Sequence, residues 1–193
     1  MQAARGTSLS RTGSAESSSV PARRRYVGLF AFIATLLYAV DQVTKYLAVE
    51  HLTGEPDKPL VGDLLQLHLT RNPGAAFSTG TAFTEVLTCV AIVAVGVVVW
   101  LSRRLGSRAW AVAMGLLLAG VGGNLTDRML REPGPFRGEV IDFLMLPNWP
   151  IFNVADMCIN AAAGLILIQA FRGIKLDGTR VKSEEPARTE PDD

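Results

Sequence analysis

Apolar and polar residues in this chain fall into long blocks rather than short periods. A polar block over residues 1–25, rich in Ser, Arg and Gly, ends in Arg23-Arg24-Arg25, and a second covers residues 172–193. Four apolar stretches lie between them. Phe83–Leu101 carries one charge, Glu85, and is long enough for a hydrocarbon core that takes ~20 residues to cross. Tyr26–Val49 is apolar except for Asp41-Gln42-Val43-Thr44-Lys45. Trp110–Gly123 is uncharged but short, and lengthens only through Asn124 and Asp127; Ile151–Phe171 is long enough but carries Asn153, Asp156 and Asn160. These blocks predict membrane spans over residues 26–48, 83–101, 109–127 and 151–171, flanked by disordered tails at 1–25 and 172–193. A shorter period appears only in the links. Leu65, Leu67 and Leu69 alternate with Gln66, His68 and Thr70, the pattern of a half-buried strand over Leu64–Thr70, and Gly138–Leu144 reads as a second strand.

Charge orients the spans. Five arginines precede the first, Arg103, Arg104 and Arg108 crowd the link between the second and third, and five basic residues follow the fourth. The link over 50–82 has only Lys58 and Arg71, and in the link over 127–150 three arginines are offset by four acids. The positive-inside rule then puts both termini in the cytoplasm and both long links outside. Trp110 and Trp149 stand near span ends, as interfacial aromatics do. A cleaved signal peptide is the competing reading of the first stretch, but no small-x-small pair follows it: Tyr46 takes the position three residues before a cut after Ala48. The fold class is therefore an all-α membrane protein, a four-transmembrane-helix bundle with a small external β-sheet domain.

Composition agrees. Hydrophobic residues make up 49% of the 193 and charged residues 19%, which excludes a disordered chain and argues against an ordinary soluble domain. The net charge of +1 gives no basic field for nucleic acid. Cys89 and Cys158 both sit in apolar stretches and offer neither a disulfide framework nor a metal site.

Helix rise converts sequence into depth. Asp41 lies about 22 Å along the first span and Asp127 about 25 Å along the third, both running outward, while Asp156 is about 7 Å into the fourth from outside. With Asp142, just ahead of the fourth span, four aspartates from separate parts of the chain share one layer near the outer surface. Asn124, Arg128, Lys45 and Asn153 fall in it too. Carboxylates at a helix centre cost about 2.5–3.5 kcal/mol each on insertion, so the layer needs a reason. Asp41 and Lys45 stand at i,i+4, the spacing of a helical ion pair, and Asp127-Arg128 are adjacent, so these four read as structural support. Asp142 and Asp156 have no basic residue within four positions and lie among apolar neighbours, which favours a functional role. Two carboxylates close together in a poorly hydrated site hold a single proton between them, so one can take a proton from water while the other gives one. No HExxH, GxSxG or Walker loop competes for the chemistry, and His51 and His68 read as external surface histidines. The alternative is a small proton- or ion-coupled membrane carrier using the same carboxylates, although a carrier places them near the midplane rather than near one surface.

Five motifs in order, Asp41-Gln42-Val43-Thr44-Lys45, Asn72-Pro73-Gly74-Ala75-Ala76-Phe77, Gly123-Asn124-Leu125-Thr126-Asp127-Arg128, Val140-Ile141-Asp142-Phe143 and Phe152-Asn153-Val154-Ala155-Asp156, resemble the signature blocks of lipoprotein signal peptidase (signal peptidase II). The resemblance covers about residues 26–171. It implies a bacterial inner-membrane aspartic endopeptidase that removes signal peptides from diacylglyceryl-modified prolipoproteins, cutting before the lipidated cysteine, with no cofactor or metal. By motif position it makes Asp142 and Asp156 the catalytic pair, puts Asn72, Gly120, Asn124, Arg128 and Asn153 at the substrate pocket, and leaves Asp41, Lys45 and Asp127 as support. It also implies contact with membrane lipids and inhibition by globomycin, a cyclic peptide. Two features depart from the family pattern: the 25-residue N-terminal extension, and a longer connection over Met129–Ile141 that includes Glu132-Pro133-Gly134-Pro135.

Overall fold

The computed structural model describes residues 19–74 and 81–181. The tail residues 1–18 and 182–193, and Ala75, Ala76 and Phe77 of the second motif, lie outside the described residues. Among those described, four helices are long and apolar enough to cross a membrane, and three short strands accompany them.

Helix α1 (Ser19–Leu52) is longer at both ends than the apolar block that predicts it. Seven of the residues assigned by composition to the N-terminal tail are helical, because Pro21 sits in the first turn, where its missing N–H costs nothing, and the arginine run has good helix propensity. At the other end nothing breaks the helix until Gly54, which takes φ 77°, and Pro56. Strands β1 (Lys58–Val61) and β2 (Leu65–Asn72) form an antiparallel hairpin, and β3 (Val140–Met145) pairs antiparallel with β2, giving the order β1-β2-β3. The register sets Thr70 opposite Asp142 and Asn72 opposite Val140. Helices α2 (Thr81–Ser102), α3 (Arg108–Leu130) and α4 (Val154–Phe171) complete the chain. Ser107 caps α3 by accepting the Trp110 N–H, and Asn153 caps α4.

The central element is α3, against which α1, α2 and α4 all pack. Small residues make this close approach feasible. A Cβ on Gly120 would stand 2.5 Å from the Ala155 carbonyl oxygen and 2.7 Å from Ile159 Cγ1, and one on Gly123 would collide with the Asp41 carboxylate. Two apolar clusters fix the ends of the bundle. Phe30, Val98, Leu105, Ala111 and Met114 gather near the α2–α3 turn. At the opposite end Ala48 and Leu52 of α1 meet Ile141 and Phe143 of β3, with Leu67 and Leu69 of β2 packed against them, so the sheet is seated on the bundle.

Residues 172–181, which composition assigns to the C-terminal tail, are folded back. Leu176 packs into the first cluster, its carbonyl accepts the Gly106 N–H at 3.0 Å, and the Ile174 carbonyl accepts from Trp110 Nε1 at 3.0 Å. One leucine in a charged stretch is enough to dock the turn, and it is too little for composition to register.

Candidate active site

Four elements carry the polar layer: the C-terminal halves of α1 and α3, strand β3, and the first turn of α4. Asp142 projects from β3 and is 2% exposed; Asp156 is half-buried at the third residue of α4. Asn153 joins them. Its Nδ2 donates to Asp142 Oδ1 at 2.6 Å and to Asn124 Oδ1 at 3.2 Å, and its Oδ1 accepts the Asp156 N–H at 3.0 Å. The Asn153 N–H in turn donates to Asp156 Oδ2 at 3.2 Å, so the helix cap and the carboxylate bridge are the same residue. Each aspartate has one further amide donor: Asn72 Nδ2 to Asp142 Oδ2 at 2.9 Å, and Asn124 Nδ2 to Asp156 Oδ1 at 2.9 Å.

Behind the pair lies a buried ion network. Lys45 is fully buried, and its ammonium meets Asp41 Oδ2 at 3.0 Å, Asp127 Oδ2 at 2.8 Å and Asn124 Oδ1 at 2.8 Å. Asp41 Oδ1 accepts the Ala155 N–H at 2.9 Å, and Asp127 Oδ2 accepts the Ile141 N–H at 3.3 Å. Asp127 makes no direct ion pair with its neighbour Arg128, although the two share one charge network. Adjacent residues on a helix point about 100° apart, and Arg131, one turn on, pairs with Asp127 Oδ1 at 2.5 Å instead. Arg128 is thereby left to face the cleft, where it reaches the Pro73 carbonyl at 3.5 Å and lies in the field of Asp142, Asp127 and Asp156.

A cleft of about 530 Å³ opens on this group, lined by Asn72, Pro73, Gly74, Arg128 and Asp142, with Leu87 of α2 on one side and Pro150 and Ile151 on the other. The Asn72-Pro73-Gly74 turn is closed by the Gly74 N–H donating to Asn72 Oδ1 at 2.8 Å, and the Thr84 hydroxyl donates to the Pro73 carbonyl, tying the turn to α2. Of the residues expected at the pocket, Asn72 and Arg128 line this cleft; Asn124, Asn153 and Gly120, which faces Ala155 and Ile159 at the α3–α4 contact, do not, and Asp142 rather than Asp156 is the aspartate on its wall. The long 129–141 connection leans on α2, where Thr88 donates to the Phe136 carbonyl at 2.9 Å and Arg137 pairs with Glu85 at 2.5 Å. A separate cavity of about 560 Å³ between that connection and α2 holds no aspartate. His68 pairs with Asp57 on the sheet, away from the site.

Burial pushes the Asp142 carboxyl up to about 6; the charge of Asp156 adds to the rise, while the amides of Asn72 and Asn153 and the Lys45 ammonium oppose it. Among the described residues no buried side-chain polar atom lacks a partner, and no cluster of His, Cys, Asp or Glu has the arrangement of a metal site. The arrangement suits proton exchange through two linked carboxylates, one of which, Asp142, lines the cleft.

Comparison with known proteins decides the family. The peptidase A8 family model, described as Signal peptidase (SPase) II, matches residues 33–172. The chain belongs to the signal peptidase II family. Members are proteases, and two relatives called lipoprotein signal peptidase illustrate the likeness. One, from Leifsonia xyli subsp. xyli, is 46% identical over 157 residues, covering 81% of this chain and 73% of that protein. The other, from Mycobacterium avium (strain 104), is 43% identical over 176 residues, covering 90% and 96%. A bacterial membrane enzyme solved at 1.9 Å resolution superposes with a TM-score of 0.67 at 28% identity, covering 75% of this chain and 94% of its own. Family membership bears out the resemblance carried by the five motifs. The residues beyond those motifs that shape the site, Arg131, Thr84 and Leu87, had no sequence signal except the i,i+4 spacing of Asp127 and Arg131, and the motifs that contain Ile141 and Ala155 gave no sign of the part their N–H groups play.

Proposed function

We propose that this protein is an aspartic endopeptidase that removes signal peptides from diacylglyceryl-modified bacterial prolipoproteins, cutting before the lipidated cysteine. Family membership supports the substrate class. The observation that carries the catalytic reading is the coupling of Asp142 and Asp156 through Asn153 in a buried amide network beside a cleft.

In the reaction one proton is held by the pair. The ionised aspartate takes a proton from a water molecule as its oxygen attacks the scissile carbonyl carbon, and the protonated one gives its proton to the carbonyl oxygen. The tetrahedral intermediate then collapses: the C–N bond breaks, the nitrogen of the lipidated cysteine gains a proton from the carboxyl that took it from water, one hydroxyl of the intermediate returns its proton to the other carboxylate as the carbonyl re-forms, and the signal peptide leaves with a new carboxyl end. Asn72 and Arg128 line the cleft where the extended peptide runs and can donate to its carbonyls; Asn124 and Asn153 orient the two carboxylates. The bundle sits in the bacterial inner membrane with both termini cytoplasmic, following the basic residues, and the carboxylates near the outer face, beside the lipid anchor of the substrate.

The test is incubation of detergent-purified protein with a diacylglyceryl-modified prolipoprotein and with its unlipidated precursor. The proposal expects release of the signal peptide from the lipidated form alone, blocked by globomycin. Cleavage of neither form, or of both equally, would contradict it.

A further inference from the structure

Lys45 does not line the cleft, yet its contacts have an unusual symmetry. It holds two carboxylates, and each of those grips the main-chain N–H of the residue just before one of the paired aspartates. Asp41 accepts from Ala155, which precedes Asp156; Asp127 accepts from Ile141, which precedes Asp142. The third partner of the ammonium, Asn124, donates directly to Asp156. We infer that Lys45 is a positioning residue whose single ammonium sets the relative placement of Asp142 and Asp156 by tying together the two backbone anchors that carry them.

This inference rests on the peptidase reading for what the placement achieves. The geometry stands without it. Asp142 rides on a strand of the outer sheet and Asp156 on a membrane helix, and no covalent segment shorter than residues 143–155 connects them. Asn153 ties the Asp142 carboxylate to the first turn of α4, its side chain to the Asp156 N–H and its own N–H to the Asp156 carboxylate, but it leaves the backbone of β3 unanchored. The path from Ile141 through Asp127, Lys45 and Asp41 to Ala155 anchors it, and its three ionised members are each 1% exposed or less. Water therefore cannot replace a lost link cheaply. A simple staple between α1 and α3 needs one of the two carboxylates, not both. The ammonium also acts through charge. Asp142 is faced by Arg128 and Asp127 from α3, by Asp156 from α4 and by Lys45 from α1, and the Lys45 charge favours its ionised form.

The test uses Lys45→Met and the paired change Asp41→Asn with Lys45→Met. The pair leaves no carboxylate unmatched, since Asp127 keeps Arg131, and the amide oxygen introduced by Asp41→Asn can still accept the Ala155 N–H. Two readouts are taken in detergent. Hydrogen exchange should show the Ile141 and Ala155 amides losing protection together in the paired variant, by at least about tenfold, while amides in the middle of α3 are unchanged. Cleavage of lipidated prolipoprotein should lose at least about 100-fold in kcat with KM little altered, the scale expected when reacting groups shift by about 1 Å. In Lys45→Met the alkaline limb of the pH–rate profile should also move up, since the Lys45 charge favours ionised Asp142. A folded paired variant with wild-type kcat, or with both amides still protected, overturns the inference. Exchange is read without substrate, so coupled loss of protection in a protein whose wild type cleaves nothing would refute the peptidase reading and support the positioning.

Discussion

Asn153 combines two jobs that a pair of substitutions can separate. Its Oδ1 caps α4 through the Asp156 N–H, and its Nδ2 bridges Asp142 and Asn124. Asn153→Ala removes both. The cap contributes about 1 kcal/mol, the bond to a buried carboxylate about 1.5–3 kcal/mol, and the bond to Asn124 about 1 kcal/mol. These groups share one network and their losses do not add fully, so the expected cost is about 3–4 kcal/mol. Serine caps a helix about as well as asparagine, so Asn153→Ser should recover about 1 kcal/mol of that cost while leaving the bridge broken. Activity should not follow stability. Both variants lose one of the two amide donors that hold Asp142 down, so both should cleave lipidated prolipoprotein at least about 100-fold more slowly, with the alkaline limb displaced upward. Thermal unfolding in detergent and a cleavage time course on the same preparations decide the matter. A serine variant with turnover near wild type, beside an inactive alanine variant, would reduce Asn153 to a helix cap and refute the bridging role.

The raised Asp142 carboxyl predicts a pH dependence of stability with a definite sign. The folded state holds the proton up to about pH 6 against 3.8 for the free group, so the stabilisation is complete below about pH 4 and about 3 kcal/mol is lost as pH rises through 6. Asp142→Asn should flatten that dependence in an unfolding series from pH 4 to 8; an unchanged slope would refute the assignment. Cleavage itself should fall as pH rises above about 6, where Asp142 gives up the proton the pair shares, and a rate independent of pH between about 4.5 and 7 would count against the pair. Gly120→Ala should lower the unfolding temperature by wedging α3 from α4, whereas Gly122→Ala, with only Tyr38 at 4.0 Å, should leave it unchanged or slightly raised. Equal effects at the two glycines would show that close approach at Gly120 is not required.

Long apolar blocks and basic flanks were enough to read four spans, because the bilayer demands a run of ~20 apolar residues whatever the neighbours do. The same physics explains the misplaced ends. Hydropathy marks where lipid stops, not where helix stops, so α1 continues past both limits of its apolar block until Gly54 and through Pro21. β2 was legible from its alternating leucines, since one face sits on the bundle. β1, with Lys58 half-buried and Pro59, Leu60 and Val61 exposed, buries no alternate face and so leaves no period to read. In the site, depth arithmetic placed the aspartates in one layer, but depth says nothing about rotation around a helix. Asp127 therefore turned to Lys45 and Arg131 rather than to Arg128, and Gly120 turned to α4 rather than to the cleft. Ile141 and Ala155 fall inside two of the motifs, but a main-chain donor does not depend on side-chain identity, so the motif does not reveal the role of their N–H groups.

The proposed chemistry stands or falls on Asp142 and Asp156 acting together in peptide hydrolysis on a lipidated precursor. The decisive comparison is between wild type, Asp142→Asn and Asp156→Asn, each purified in detergent and matched for unfolding temperature, in cleavage of a diacylglyceryl-modified prolipoprotein. Wild type should cut before the lipidated cysteine, and both variants should lose at least about 1,000-fold, because an amide neither accepts nor donates the transferred proton. Substantial turnover by either folded variant, or a wild type that leaves the precursor intact, would strip the two aspartates of this role.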